Sequence, residues 1–269
     1  MKVGIIGYGS MGKMLLWKFS QSGRYPKDDL LVSNRTQEKL EEARGIAQIC
    51  SKTEVAQEAD IVFVCVRPVD MKTVLEEIAP ALKQDALLVS LNGSIRFDMI
   101  AKVVDHKTAK VIPALTAEIN RSQTIVCYNE KVKEADKAAL KELLGIIGNV
   151  IEVPEDEVGM ASELVSCMPG FIASIFDVIC KAAQDHTAIP QEQIVRMVLN
   201  TMSATGDLML QKGLSFEEVV SRVATKGGIT EVGSAIIYDS FPPTAEEMFC
   251  KTLEKRKQTA EKAAEAFGV

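Results

Sequence analysis

Lys2-Val3-Gly4-Ile5-Ile6-Gly7-Tyr8-Gly9-Ser10-Met11-Gly12-Lys13-Met14-Leu15-Leu16-Trp17-Lys18-Phe19 decides the fold. Its opening is an apolar run of strand length. A GxGxxG turn follows without a gap, and an apolar-periodic helix starts at once. Strand, glycine turn and helix in this order make a dinucleotide-binding unit. Gly7 permits the tight turn, Gly9 lets backbone approach a pyrophosphate, and Gly12 lets the helix pack close to the strand. The helix N-terminus offers unpaired N–H groups and a positive dipole end to the phosphates. Tyr8, Ser10 and Met11 complete the expected cofactor-binding turn.

Outward from this turn, strand-like and helix-like stretches alternate as far as Val153. Strands are expected at Leu30–Ser33, Gln48–Cys50, Ile61–Val66, Ala86–Leu91, Lys110–Ile112, Thr124–Cys127 and Asn149–Val153. The unbroken apolar run Ile61–Val66 suits a strand buried on both faces of a parallel sheet. Helices are expected after Thr36 as cap, over Thr53–Glu58, Met71–Leu82 and Lys133–Leu144. The pattern predicts an α/β fold, with a doubly wound Rossmann sheet over residues 1–153.

After Pro154 the strands stop, which predicts an all-α domain over 154–269. One long helical pattern runs from Glu155 to about Ala183, and Pro169 inside it is expected to break or kink the helix. Pro190 suits the first turn of a second helix that ends at Gly213. Ser215-Phe216-Glu217-Glu218 and Thr244-Ala245-Glu246-Glu247 both read as capping boxes. Between them, Thr225-Lys226-Gly227-Gly228-Ile229-Thr230 is a glycine-bearing turn into a helix. Much of the helical half is apolar around its circumference, so a homodimer through this half is expected.

The net charge of −6 and the lack of a long basic run argue against nucleic acid or an anionic membrane surface as the main partner. Cys50, Cys65, Cys127, Cys167, Cys180 and Cys250 form no CxxC pair, and His106 and His186 lie far apart. That excludes a metal-ligand spacing and a disulfide framework, and suits reduced thiols in a cytoplasmic protein. Both histidines read as surface loop residues. No signal peptide is read before the first strand, and the apolar stretch Leu164–Phe176 is too short to span a bilayer.

A site for NAD ordinarily has Asp or Glu at the end of the second strand, on the ribose 2′-hydroxyl. This strand ends in Ser33-Asn34-Arg35-Thr36, with no acid. Arg35 can take a 2′-phosphate through a charge-assisted pair, and Ser33, Asn34 and Thr36 can add neutral hydrogen bonds. The expected cofactor is NADP(H) in preference to NAD(H).

Over essentially its whole length the chain resembles the pyrroline-5-carboxylate reductases. The opening Ile5–Gly12, the stretch Ser33–Thr36, and Val64-Cys65-Val66-Arg67-Pro68 are similar to theirs, with Arg67 standing for a lysine. Ser90-Leu91-Asn92-Gly93 matches a loop near the nicotinamide, and Ser51 a further cofactor-contacting position. The resemblance implies hydride transfer to the C=N carbon of a cyclic imine to give proline. It also implies a Rossmann domain joined to a helical dimerisation domain, with rings of dimers frequent. The substrate half departs from the family pattern at Ile112–Ala117, at Ser162–Phe171 and at Thr225–Thr230. In these segments the chain resembles the divergent ComER-type branch of the late competence operon.

A reductase of a cyclic imino acid needs a hydride donor, an anion site, a group near the ring nitrogen and exclusion of water. Gly227, Gly228 and Ile229 offer backbone N–H groups to a substrate carboxylate, and Lys226 can add charge. Thr230 keeps the hydroxyl that the resemblance puts near the ring nitrogen, which makes it the candidate catalytic residue. Ser166 and Cys167 are candidates for the same pocket. Two other functions fit the altered segments: a reductase of another small imine or carbonyl compound, and a non-catalytic NADP-binding protein with a regulatory or assembly role.

Overall fold

The computed structural model describes residues 1–268 and divides them into two compact units, residues 1–167 with 253–268, and Met168–Thr252. The expected division after Val153 differs from this one. Residues 155–167 and the last turns of the chain cluster with the sheet.

The sheet unit carries β1 (Val3–Ile6), β2 (Leu30–Ser33), β3 (Gln48–Ile49), β4 (Ile61–Val64), β5 (Leu87–Ser90), β6 (Thr108–Ile112), β7 (Ser122–Tyr128) and β8 (Gly148–Glu152). Their spatial order is β3-β2-β1-β4-β5-β6-β7-β8. All pairings are parallel except β6 with β7. The chain between Ile112 and Ser122 holds only a 3₁₀ turn, Leu115–Ile119. That is too short for a crossover, so β7 runs back beside β6. β1, β2, β4 and β5 are buried at every residue, as their apolar runs demand.

Helices cover both faces of the sheet. On one side α1 (Ser10–Gln21) packs Leu15, Leu16 and Phe19 into a core shared with Leu140, Leu143 and Leu144 of α5 (Glu134–Leu144). Each such side chain contributes about 1.5–3 kcal/mol by leaving water. On the other side lie α2 (Lys52–Glu58), α3 (Pro68–Ile78) and α4 (Phe97–Ala101), with Val55, Leu75 and Met99 facing inward. Gly4 lies beneath α2, where a Cβ would overlap Val55. The segment after Thr36 is a 3₁₀ helix, Gln37–Ala43, and the Thr36 side chain makes no capping bond.

Residues 155–184 form one continuous helical run of 30 residues. It comprises a 3₁₀ turn, α6 (Val158–Ser162), a π turn over Glu163–Cys167, and α7 (Met168–Gln184). Pro169 therefore does not end the helix. Its ring crowds the carbonyl four residues back, at Val165, and the wider π turn absorbs that crowding. The run is long and apolar enough to cross a membrane by length and composition, which the shorter stretch Leu164–Phe176 is not.

The helical unit continues through α8 (Gln191–Lys212), α9 (Phe216–Val223) and α10 (Ile229–Ser240). Gly213 closes α8 in the left-handed conformation, at φ 63°. Ser215 and Glu218 form the expected capping box at α9. α11 (Pro242–Phe267) begins at its prolines, so Thr244 lies inside the helix and not at its cap. Val178, Leu210, Phe216, Val232, Ile236, Ile237 and Tyr238 are exposed. α9 and α10 bury no residue at all. Apolar helix faces of this extent need a partner surface.

Candidate active site

In a doubly wound sheet a ligand sits beyond the carboxyl ends of the strands, where the strand order reverses. Here the reversal falls between β1 and β4. A cleft of about 520 Å³ opens at that place, lined by the ends of β1, β2 and β4. Gly7, Tyr8, Gly9, Ser33, Asn34, Arg35, Thr36, Val66 and Arg67, all named from the sequence, line it together with Ile6.

The three glycines of the turn have separate physical reasons. Gly7 has φ +103°, and a Cβ there would stand 2.5 Å from the Cys65 carbonyl oxygen. A Cβ on Gly12 would overlap the Gly7 carbonyl oxygen, so only glycine lets α1 start against the turn. Gly9, the N-cap of α1, has nothing within 4 Å of its Cβ position, which leaves open space on the cleft side. The turn is tied down by the Gly7 N–H donating to Ser33 O at 2.8 Å and the Tyr8 N–H donating to Asn34 Oδ1 at 3.0 Å. Trp17 Nε1 donates to the Tyr8 hydroxyl at 3.0 Å, and burial pushes the Tyr8 phenol up from its usual range. Asn34 is thereby a structural tie as well as a cleft residue. Ser10 and Met11 begin α1; Ser10 lines a neighbouring depression with Lys13 and Lys39.

Charge at the cleft is mixed, with a cationic excess. Arg35, Lys39, Lys52 and Arg67 line it against Asp70 and Glu77. Lys52 pairs with Glu77. Asp70, on α3, is an acid that the end of β2 did not reveal. It bonds Arg67 Nε at 3.0 Å and lies 3.9 Å from Arg35 Nη1. The Arg35 side chain is 83% exposed, so this longer pair is weak and screened. A guanidinium held so loosely is available to a phosphate, which would make a stronger, bidentate pair. The open Gly9 face, the helix N-terminus without acid in its first turn, and the cationic excess fit an anionic dinucleotide.

The other expected contacts fall beside the cleft or elsewhere. The Ser51 hydroxyl caps α2, accepting from the Glu54 N–H at 3.2 Å, and Ser51 does not line the cleft. Pro68 occupies the first position of α3, where its missing N–H costs nothing. Asn92 Nδ2 donates to Val66 O at 3.0 Å, which fastens the Asn92-Gly93 loop to the end of β4. Around the Cβ position of Gly93 stand Ile112, Val158 and Arg256 at 3.5–3.7 Å. Ser166 and Cys167 lie in the π turn, with Cys167 Sγ 3.8 Å from Arg256 Nη2. Burial, with the Glu163 carboxylate beside it, pushes the Cys167 thiol up from its usual range.

Gly227, Gly228, Ile229 and Thr230 lie in the helical unit. Gly227 has φ +72°, and a Cβ on Gly228 would overlap Thr225. Gly228 is the N-cap of α10, and Thr230 is half-buried in its first turn. The Gly227 N–H donates to the Glu231 carboxylate at 2.5 Å. A carboxylate does sit on this turn, and it is the chain's own.

Sequence reading missed Lys39, Lys52, Asp70, Glu163 and Arg256. Asp70 had a local signal, standing three residues after Arg67 on a helix. Glu163 had one too, as a single acid inside an apolar run. Arg256 lies 93 residues from its partner and had none. Among the described residues no group of His, Cys, Asp or Glu could hold a metal ion. His186 is exposed as expected, whereas His106 is half-buried, its Nε2 without a hydrogen-bond partner.

A sheet with this turn and this cleft is the fold of the nucleotide-binding oxidoreductases. Residues 2–93 match the family described as NADP oxidoreductase coenzyme F420-dependent. Residues 155–259 match the family described as pyrroline-5-carboxylate reductase dimerisation. Pyrroline-5-carboxylate reductase 3 of Bacillus subtilis is 29% identical over 260 residues, covering 94% of this chain and 95% of that one. ComE operon protein 4 of the same organism is 25% identical over 273 residues and the full length of both. The crystal structure of Plasmodium falciparum pyrroline carboxylate reductase with NADP bound superimposes with a TM-score of 0.86, at 22% identity, covering 97% of this chain and 98% of that one. Over nearly its whole length the chain is similar to the pyrroline-5-carboxylate reductases and to ComE operon protein 4, and it is an oxidoreductase of the pyrroline-5-carboxylate reductase type.

Proposed function

We propose that this protein reduces the C=N bond of 1-pyrroline-5-carboxylate, or of a closely related small cyclic imine, with NADPH as hydride donor and L-proline as the product of the first. The observation that carries the reading is the dimerisation match over 155–259 in a chain whose N-terminus builds the glycine turn and cationic cleft. The bound nicotinamide supplies the hydride. Gly7, Gly9 and Gly12 let backbone N–H groups meet its pyrophosphate. Arg35, with Lys39 beside it, takes the 2′-phosphate and gives NADPH its advantage over NADH. Ser33, Thr36, Val66 and Arg67, which line the same cleft, complete the cofactor contacts, followed by Pro68, Asn92 and Gly93.

The Gly227-Gly228-Ile229 backbone and Thr230 receive the substrate carboxylate and ring nitrogen. Ser166 and Cys167 shape the pocket. An imine that arrives protonated needs little acid–base help, so the lack of a histidine there is no obstacle. A second copy of the chain covers the exposed apolar faces of α7 to α10, making a homodimer through the helical unit. Those faces are then subunit interface and not lipid contact, in keeping with a cytoplasmic enzyme.

One observation favours a second reading. Glu231 already occupies the Gly227 N–H that a substrate carboxylate needs. A protein that binds NADPH for a regulatory or assembly role, or reduces a different imine or carbonyl compound, accommodates this carboxylate. NADPH oxidation with pyrroline-5-carboxylate and a panel of cyclic imines and ketoacids separates the readings. Turnover of pyrroline-5-carboxylate, lost about 100-fold in Thr230→Val with NADPH affinity kept, supports the first. Turnover of another compound alone, or tight NADPH binding without turnover, replaces it with the second.

A further inference from the structure

Glu163 is the one acid in an apolar stretch, and its side chain is 2% exposed. A buried carboxylate is costly unless it is paired. Its partner is Arg256 of α11, whose Nε and Nη2 donate to Glu163 Oε1 at 3.0 and 2.6 Å. Glu163 Oε2 is buried without a partner. Glu163 opens the π turn, a local widening of the helix.

The Arg256 side chain reaches this carboxylate past two glycines. Its Cδ is 3.4 Å from the Cβ position of Gly159, and its Nη1 is 3.7 Å from that of Gly93. The Glu163 bonds fix the plane of the guanidinium through Nε and Nη2, and the Nη1 edge is left against the Gly93 loop. Asn92 holds the same loop from the other side, through the Val66 carbonyl. The loop is thus tied to the end of β4 and bordered by the Arg256 guanidinium of the last helix.

We propose that Arg256, oriented by buried Glu163, is a positioning residue that sets the Asn92-Gly93 loop at the height hydride transfer requires. The proposal rests on the reading of Gly93 as a neighbour of the nicotinamide ring. It assigns Arg256 no contact with substrate. A shift of about 1 Å in a reacting group costs on the order of 100-fold in rate, so a loosened loop shows in kcat before it shows in binding.

The test uses the full-length protein with two variants. Arg256→Lys keeps a positive charge against Glu163 but loses the planar fork. Glu163→Gln keeps an acceptor but loses the charge that orients the fork. The expected result is NADPH affinity within about threefold of wild type, since the adenosine end is untouched. The emission of bound NADPH moves towards that of the free dinucleotide. With pyrroline-5-carboxylate, kcat falls roughly 10–100-fold while KM stays within about threefold, and the deuterium isotope effect from 4-deuterated NADPH rises.

Wild-type emission and kcat in both variants overturn the proposal. So does a loss of NADPH affinity and thermal midpoint in step with kcat, which is the mark of a merely structural pair. If wild type fails to reduce pyrroline-5-carboxylate but the emission change persists, the substrate reading falls and the positioning role stands. If wild type binds no NADPH, both fall.

Discussion

The chain contains two glycine turns at helix starts, and they are built differently. Gly7–Gly12 is enclosed: Gly7 and Gly12 are forced by neighbouring backbone, and Tyr8 and Ser33 beside them are buried. Gly227-Gly228 is open: Ile229 after it is 94% exposed, and its first N–H is taken by Glu231 of the same helix. The first turn is finished by its own strand and helix. The second has strain and a cap but no surroundings. A turn completed within one chain can be selected for a ligand common to many enzymes. A turn finished by other surfaces is free to change with them.

Four substitutions try that contrast, in falling order of effect. Gly12→Ala puts a methyl group on the Gly7 carbonyl oxygen, where backbone cannot yield. It is expected to cost about 2–3 kcal/mol of stability and to abolish NADPH binding, read by chemical denaturation and by NADPH fluorescence titration. Wild-type affinity in that variant would break the claim that the first turn is forced. Ile236→Asp puts a charge on the exposed face of α10. Dimer dissociation should strengthen roughly 100-fold by light scattering, with the NADPH affinity of the sheet unit unchanged. A dimer as tight as wild type means that α10 is not the covered face.

Asp70→Asn removes the carboxylate that competes for Arg35 and Arg67. NADPH should bind about threefold more tightly, a modest gain because these pairs are exposed, with NADH unaffected. Equal gains for both dinucleotides would remove Asp70 from the 2′-phosphate region. The smallest effect belongs to His106. Burial lowers its affinity for a proton below the ordinary 6.5. A group whose folded pKa is depressed gives its full stability above the unfolded value and loses it as pH falls through that value. The thermal midpoint of wild type should therefore decline from pH 7 towards pH 5.5 more steeply than that of His106→Gln. Parallel slopes would mean that the imidazole is solvated.

What was legible in the sequence follows from where the determinants lie. Eight strands could be read because each is an apolar run closed by polar or glycine residues, as in Leu30–Ser33 before Asn34. The glycine turn and the Ser215 capping box were legible because their partners are at most a few residues away. Thr244 was misread because Pro242 and Pro243 fit a first helical turn as well as a loop, and the helix takes them in. Pro169 interrupts the regular helix without ending it, and the π turn before it leaves no mark in apolar periodicity. Asp70 meets Arg35 only once β4 is laid beside β1. The Arg256–Glu163 pair joins two segments of the sheet unit that are 93 residues apart in sequence.

The return of the last helix has a consequence for how the molecule comes into being. Ala263 and Phe267 are buried in the core beneath α2 and α3, and residues 253–268 belong to the sheet unit. Residues 168–252 are therefore an insertion within that unit, although they follow it in most of the chain. During synthesis from the N-terminus the sheet can form early, but the core it shares with α2, α3 and α4 lacks Ala263 and Phe267 until the last turns of α11 emerge. A fragment cut at Val153 leaves that core without Phe267.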